Sequence, residues 1–179
     1  MTKMRKQWIG RIWAISLFAA SPVMAGEPQV SWLCEAGAGR WALNGVDVAA
    51  SKAISGSIEF KQRNGGTKWA SSALINFRHN MDDKRLAGIK FYFASDRDKF
   101  PMVAIKSYGA KDWKVLGQLS MSGPIPFSFS IDEQGLSNFV IGSQVFMEQG
   151  ATFAGVIGQI SCASSSVNFA NLDHPVIDY

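Results

Sequence analysis

The sequence predicts an all-β protein that folds as an antiparallel β-sandwich in a single domain. Apolar and polar residues alternate in several short segments, turn-forming residues separate these segments, and no apolar pattern with helical spacing persists along the chain. About ten short strands, with a turn signal roughly every 8 to 12 residues, are typical of a sandwich or a barrel.

The clearest alternation lies in the stretch from Pro126 to Phe146. Phe127, Phe129 and Ile131 fall on one side of an extended chain, and small polar residues fall on the other. The turn that follows contains Gly135, which we expect to adopt a positive φ angle. A second apolar run comes next and is interrupted once by a Gly-Ser pair. The stretch therefore predicts a β-meander.

The other predicted strands are short apolar or alternating segments that end at glycine, proline or polar residues. In chain order they cover residues 30–34, 40–43, 57–61, 72–79, 89–93, 103–108, 114–121, 155–162 and 166–169.

The first 25 residues have the pattern of a bacterial-type Sec signal peptide. Basic residues between Lys3 and Arg11 precede a short apolar core at 12–20, and Ala25 is the small residue that a signal peptidase requires. A membrane anchor is the alternative, but a spanning helix needs about 20 apolar residues and this run is far shorter. We therefore expect a mature domain, residues 26–179, that has no transmembrane anchor and is periplasmic or secreted.

Removal of this segment changes the net charge. The chain has 18 Lys and Arg against 14 Asp and Glu, and four of the basic residues but none of the acidic ones lie in residues 1–25. The mature chain therefore carries 14 of each. A nucleic-acid-binding protein needs a surplus of Lys and Arg to neutralise phosphates, so we expect no nucleic-acid partner.

Cys34 and Cys162 are the only two cysteines. In an oxidising compartment an isolated pair most simply forms one disulfide, whereas metal ligation fits less well because no second pair of ligands accompanies them. Closing so long a loop would stabilise the fold by roughly 4 kcal/mol. The bond would also hold the two Cα atoms within about 7 Å, which makes the first and last strands close neighbours and suits a jelly roll.

Several segments resemble the concanavalin-like or laminin-G-like jelly-roll superfamily. They are SGSIEFKQR at 55–63, FSFSID at 127–132, IGSQV at 141–145, FAGVIG at 153–158 and VNFANL at 167–172. The chain departs from the family pattern at Ile141-Gly142-Ser143, where members usually carry Asn-Gly in the late hairpin. The resemblance implies a jelly-roll fold in a group whose members mostly bind or cleave carbohydrate, while some bind proteins. A shared fold does not by itself assign a function.

Signatures of catalytic sites are scarce. Glycosidases of this fold carry alternate carboxylates on one strand, yet no Glu-x-Asp occurs in the sequence. Neither Gly-x-Ser-x-Gly nor His-Glu-x-x-His occurs either. Scattered acids such as Asp132-Glu133 leave a hydrolase with an unusual carboxylate pair as an open alternative. We expect a non-catalytic protein.

No cofactor is expected. His79 and His174 are the only histidines, and they are too far apart in sequence to indicate a zinc site. Asp82-Asp83 and the pair Asp96 and Asp98 could offer oxygen ligands to calcium, but neither matches a defined calcium loop, and aspartates are common in turns. Calcium stays an alternative, and no residue is assigned to a metal.

The outward faces of the strands suggest a ligand-binding surface. If Ile75, Phe91 and Val103 point inward, polar side chains and tyrosines share the opposite face, where a merely solvated surface is the simpler alternative. Sugar rings stack on aromatic side chains, and their hydroxyls bond to amides, guanidinium groups and carboxylates. The candidate ligand-binding residues are Asn76, Arg78, Tyr92, Lys106 and Tyr108 on one face, with Trp69 and Asp96 at its rim. Trp69 and Trp113 lie in or beside loops, where a tryptophan is either a platform for a ligand or a lid on the core, and core packing is the commoner fate.

These features predict an exported, non-catalytic binding domain whose partner is a glycan or another component of the cell envelope. The alternative from a different class is an envelope structural or protein-interaction subunit, in which an exposed strand edge pairs with a partner.

Overall fold

A computed structural model describes residues 30–48, 52–65, 69–79, 85–120, 123–152 and 155–177; the predicted signal peptide lies outside these ranges. Within them the chain forms thirteen strands: β1 (Val30–Glu35), β2 (Trp41–Val46), β3 (Ala53–Arg63), β4 (Ser72–Arg78), β5 (Ala87–Tyr92), β6 (Met102–Lys106), β7 (Lys114–Gln118), β8 (Ile125–Ile131), β9 (Leu136–Ile141), β10 (Gln144–Gln149), β11 (Ile157–Ala163), β12 (Ser165–Leu172) and β13 (Val176–Ile177). No described range contains a helix with the length and hydropathy needed to span a bilayer.

The strands form two antiparallel sheets. The six-stranded sheet has the order β1-β12-β3-β8-β9-β10, and the seven-stranded sheet has the order β13-β2-β11-β4-β5-β6-β7. Sequence neighbours pair in the meanders β8-β9-β10 and β4-β5-β6-β7, while β12 and β11 return from the end of the chain to pair near its start. The predicted all-β, jelly-roll sandwich is confirmed.

The core lies between the two sheets and is rich in phenylalanine. The ring of Phe77 on β4 stacks on Phe129 of β8 at 4.5 Å between centroids, and Phe129 stacks on Phe139 of β9 at 4.9 Å. All three side chains are fully buried. The alternation predicted for β8 is confirmed, because Phe127 and Ile131 point into the same core.

The turn between β8 and β9 depends on the side chain of Asp132 and on the absence of a side chain at Gly135. The carboxylate of Asp132 accepts hydrogen bonds from the backbone N–H groups of Gln134 and Leu136 at 2.9 and 2.8 Å. Gly135 has φ of 83°, as predicted, and an added Cβ there would lie only 2.8 Å from the carbonyl oxygen of Gly150. Only glycine fits this position without strain.

The disulfide between Cys34 and Cys162 is confirmed, with 6.0 Å between the Cα atoms. Cys34 lies on β1 of the six-stranded sheet and Cys162 on β11 of the seven-stranded sheet. The bond therefore crosses the sandwich. The first strand does pair with a late strand, but that strand is β12 and not the one that carries Cys162.

Some strand ends differ from the prediction. β4 ends at Arg78, so His79 lies beyond the strand and is exposed. β6 ends at Lys106, because residues 107–110 turn: the N–H of Ala110 donates to the carbonyl oxygen of Ser107 at 3.1 Å. The alternation of β6 consequently does not extend to Tyr108.

Candidate functional site

A groove of about 460 Å³ lies on the outward face of the seven-stranded sheet. Its floor comes from β2, β11, β4 and β5, and two loops add tryptophans beside it. The described residues that line it are Trp41, Leu43, Trp69, Ser72, Leu74, Asn76, Arg78, Leu86, Lys90, Trp113, Gln159, Ser161, Cys162 and Ala163.

The strand register fixes which outward side chains are neighbours. Three transverse rows cross the face, each with one residue from β2, β11, β4, β5 and β6 in that order. The rows are Trp41, Ala163, Ser72, Tyr92 and Met102; Leu43, Ser161, Leu74, Lys90 and Ala104; and Gly45, Gln159, Asn76, Gly88 and Lys106. Paired strands are about 4.8 Å apart, so residues from one row reach a common ligand.

Two tryptophans present large open surfaces to the groove. Trp41 on β2 is 61% exposed, and Trp69, just before β4, is 45% exposed. In the first row of the register, Trp41 and Ser72 are separated by Ala163 of the intervening strand. Trp113, from the loop between β6 and β7, is half-buried and lines the same groove. The groove is therefore bordered by aromatic rings on more than one side.

The backbone around these tryptophans is held by Ser164, a buried residue between β11 and β12. The N–H of Gly39 donates to the hydroxyl of Ser164 at 3.0 Å, and that hydroxyl donates to the carbonyl oxygen of Trp69 at 2.7 Å. The N–H of Ser164 donates to the carbonyl of Arg40, next to Trp41, at 3.0 Å. One serine thus connects the two segments that carry the exposed rings.

The floor beneath the rings is polar and buried. Asn76 and Gln159 face each other across β4 and β11, and they are 1% and 2% exposed. The Nδ2 group of Asn76 has no hydrogen-bond partner among the described residues, whereas its Oδ1 accepts from the Nε–H of Arg78 at 3.3 Å. A buried amide donor without a partner is costly, so this group is suited to a ligand oxygen.

Gly88 makes the close approach of β4 and β5 possible at this point. An added Cβ would lie 2.2 Å from the carbonyl oxygen of Ile75 and 2.9 Å from both Cα and Cβ of Asn76. A side chain there would push the strands apart and move Asn76.

Lys90 is the half-buried cation of the groove. Burial removes water from its ammonium group and lowers its pKa from 10.5. Its Nζ lies 5.2 Å from the ring centroid of Tyr92, an attractive cation–π contact. The other charged or titratable groups that share this face are Arg78 on β4 and Lys106 on β6. Among the described residues that line the groove, Arg78 and Lys90 are charged and none is Asp or Glu.

Five of the predicted ligand-binding residues lie on this face or its rim. Trp69, Asn76 and Arg78 line the groove. Tyr92 and Lys106 lie on the same face but outside the described lining; the Nζ of Lys106 donates to the carbonyl oxygen of residue 111 at 3.0 Å.

The other two predicted residues lie elsewhere. Tyr108 is 2% exposed and belongs to the core, contrary to the expected outward orientation, because the chain has already turned after β6. Asp96 is exposed in the loop after β5. Its carboxylate lies beside Gly65, 3.7 Å from where a Cβ on that residue would be, and Asp96 is not among the residues that line the groove.

The sequence reasoning missed several lining residues. Trp41 and Leu43 alternate with a residue of the opposite face on β2, and Gln159 and Ser161 interrupt an otherwise apolar strand. A glutamine inside such a run is a signal that could have been used. The position of Trp113 has no comparable signal, since it depends on how a loop folds over the sheet.

Of the aspartates considered as calcium ligands, the structure describes Asp96 and Asp98. Asp82 and Asp83 lie outside the described residues. The carboxylate of Asp98 accepts from the N–H of Ser95 at 2.8 Å, as aspartates in turns commonly do. The described part of the chain contains no cluster of three or more His, Cys, Asp or Glu residues that could hold a metal.

No protein-family model matches the chain, and no curated protein matches it significantly. Among solved structures it is similar to the carbohydrate-binding module CBM66 from Bacillus subtilis, with a TM-score of 0.50 and 10% identity over 77% of this chain and 81% of that one. The potassium-bound Emp46p carbohydrate recognition domain gives a TM-score of 0.46 at 10% identity, over 82% of this chain and 86% of that one. Scytalido-glutamic peptidase with a transition state analog inhibitor gives 0.42 at 12%, over 73% and 63%. At such low identity the likeness to the first structure shows a shared fold alone.

Proposed function

We propose that this protein binds carbohydrate, without catalysis, in the groove on the seven-stranded sheet. The observation that carries the proposal is the pair of exposed tryptophans, Trp41 and Trp69, above a buried polar floor. Large exposed aromatic side chains are uncommon on a protein surface unless they contact a partner.

The chemistry of the groove suits a sugar. The apolar face of a sugar ring stacks on indole, and the surrounding hydroxyls require donors and acceptors in the same place. Asn76, Arg78, Gln159 and Ser161 supply both kinds of group along the floor. The groove is open, and rows of side chains cross five strands, so an extended chain of sugars fits better than one small molecule. The carbohydrate-binding module named above shares this fold, which is compatible with the proposal.

The proposal includes export from the cytoplasm. A disulfide such as Cys34–Cys162 forms and persists in oxidising compartments, and it accompanies an N-terminal segment with signal-peptide chemistry. Cleavage before Gly26 would leave residues 26–179 in the periplasm or outside the cell. N-terminal sequencing of the protein recovered from its host tests this: an intact Met1 would contradict it.

A polysaccharide panel tests the binding function. The purified, oxidised protein is run in affinity gels that contain neutral polysaccharides (xylan, mixed-linkage β-glucan, dextran) or acidic ones (polygalacturonate, alginate, hyaluronan). We expect retardation by at least one of them, and loss of that retardation in the double variant Trp41→Ala/Trp69→Ala.

Trp32→Ala is the matched control. Trp32 lies on β1 of the opposite sheet, where its ring stacks on Phe169 at 5.6 Å between centroids. The variant should bind as the wild type does. Absence of retardation by every polysaccharide, or retardation unaffected by the double variant, would refute carbohydrate binding in this groove.

A second candidate function follows from the open side of the sandwich. The edge strands β7 and β10 carry exposed apolar side chains, Val115, Val145 and Met147, at 53%, 57% and 63% exposure, and Lys114 on β7 forms an ion pair with Glu148 on β10. Edges with free backbone groups can pair with a strand of another protein, as an envelope subunit would. Crosslinking in intact cells distinguishes the two, because a carbohydrate-binding protein should be recovered without a stoichiometric protein partner.

A further inference from the structure

We propose that the carbohydrate held in this groove is acidic, and that a carboxylate of a uronic-acid residue lies between Lys90, Asn76 and Arg78. This inference rests on the proposed function and specifies the chemical class of the ligand.

The first argument is the charge of the groove. Lys90 and Arg78 line it, and the described lining residues include no carboxylate. Among the described residues, the ammonium group of Lys90 contacts the ring of Tyr92 but has neither an acidic partner nor a hydrogen-bond acceptor. A half-buried cation in this condition has lost part of its hydration, and among the described residues only the Tyr92 ring compensates it, so an anion in the groove would stabilise it.

The second argument is the position of the donors. Lys90 pairs with Leu74 and Gly88 pairs with Asn76, so Lys90 and Asn76 are diagonal neighbours on adjacent strands. Diagonal residues on one sheet face lie about 7 to 8 Å apart, within reach of a long side chain. Arg78 follows two residues after Asn76 on the same face, and its guanidinium is already aimed towards Asn76.

The third argument is the unpartnered amide. Asn76 is 1% exposed, and its Nδ2 has no hydrogen-bond partner among the described residues. A neutral hydroxyl could accept from this group, but an anion also compensates the charge of the neighbouring ammonium and forms stronger, charge-assisted hydrogen bonds. A carboxylate has two oxygens and accepts up to about four hydrogen bonds, which matches donors that come from three side chains. The tryptophans at 41 and 69 stay available for the sugar rings.

Polygalacturonate and the same polymer after full methyl esterification provide the direct test. The two probes share a backbone and differ only at the carboxyl group, which is an anion in one and a neutral methyl ester in the other. With alginate and hyaluronan as further acidic probes, we expect the purified, oxidised protein to bind at least one acidic polysaccharide. We also expect its affinity for neutral polysaccharides, the esterified polymer included, to be at least tenfold weaker.

Substitution of the cation localises the effect. Lys90→Met should weaken binding of the acidic polysaccharide by about 10- to 100-fold, the range for loss of a charge-assisted hydrogen bond. Lys90→Arg should restore most of the affinity. Lys114→Met removes one positive charge at the far edge of the sheet, where it is paired with Glu148, and should change the affinity less than twofold.

The outcomes separate the two proposals. Binding of neutral polysaccharides alone overturns the acidic ligand but leaves carbohydrate recognition intact, and binding of none overturns both. Equal binding of polyglutamate, an acidic polymer without sugar, or equal losses in Lys90→Met and Lys114→Met, would show attraction to any polyanion and overturn the assigned site. Selective binding of dextran sulfate over the uronic-acid polymers would overturn the proposal that the anion in the groove is a carboxylate.

Discussion

The Trp41→Ala variant tests the contribution of ring stacking most directly. A tryptophan side chain presents up to about 250 Å², so its 61% exposure leaves about 150 Å² in contact with water. A sugar covers one face of the ring, about 75 Å², and burial of apolar area at about 25 cal/mol/Å² gives about 2 kcal/mol. The dissociation constant should therefore rise about 25-fold.

Isothermal titration calorimetry with the polysaccharide that the wild-type protein binds most tightly measures this change. Urea unfolding of the same samples establishes that Trp41→Ala still folds, as expected for a side chain that is mostly exposed. Trp32→Ala, on the other sheet, should leave the dissociation constant within twofold of the wild-type value. A rise below threefold for Trp41→Ala, or an equal rise for both variants, would refute the stacking argument.

Three further predictions concern stability. Replacing Cys34 and Cys162 by serine opens a loop of 128 residues and should lower the free energy of unfolding by about 4 to 5 kcal/mol in the chain-entropy model, measured by urea denaturation; a loss below 1 kcal/mol contradicts it. Gly88→Ala should cost about 3 kcal/mol or more through a clash with β4, whereas Gly37→Ala, whose added Cβ has its nearest neighbour at 4.0 Å, should cost less than about 1 kcal/mol. Lys90→Met should have a higher free energy of unfolding than the wild type at neutral pH, because burial penalises only the charged form of Lys90. This difference should shrink as the pH rises through the lowered pKa of Lys90 towards 10.5, and a difference that grows with pH would contradict the prediction.

Most of the fold could be predicted because its signals are local. The alternation in β8 and the glycine at 135 each specify a conformation over a few residues, and both were found as expected. The disulfide could be predicted because the chain has only two cysteines and an oxidising compartment was expected. Strand ends were less predictable. The turn at residues 107–110 follows from backbone hydrogen bonds and from contact with residue 151, so Tyr108 entered the core although alternation placed it outside.

The groove depends on contacts that are distant in sequence. Asn76 and Gln159 are neighbours only because β11 lies between β2 and β4, and no periodicity indicates which strand will be inserted there. From the sequence alone Trp41 could equally be a core residue. It is exposed because it lies on the face of β2 that points away from the core.

The sequence by itself determined that the chain forms short antiparallel strands in two layers with one disulfide, because hydrophobic alternation and turn chemistry are encoded in neighbouring residues and the chain has only two cysteines. Only the tertiary structure decided that Trp41 and Trp69 border one groove with Asn76 and Lys90 in it. The order of strands in a sheet is set by the packing of the whole sandwich. For that reason residues as far apart in sequence as Trp41 and Ala163 share this surface.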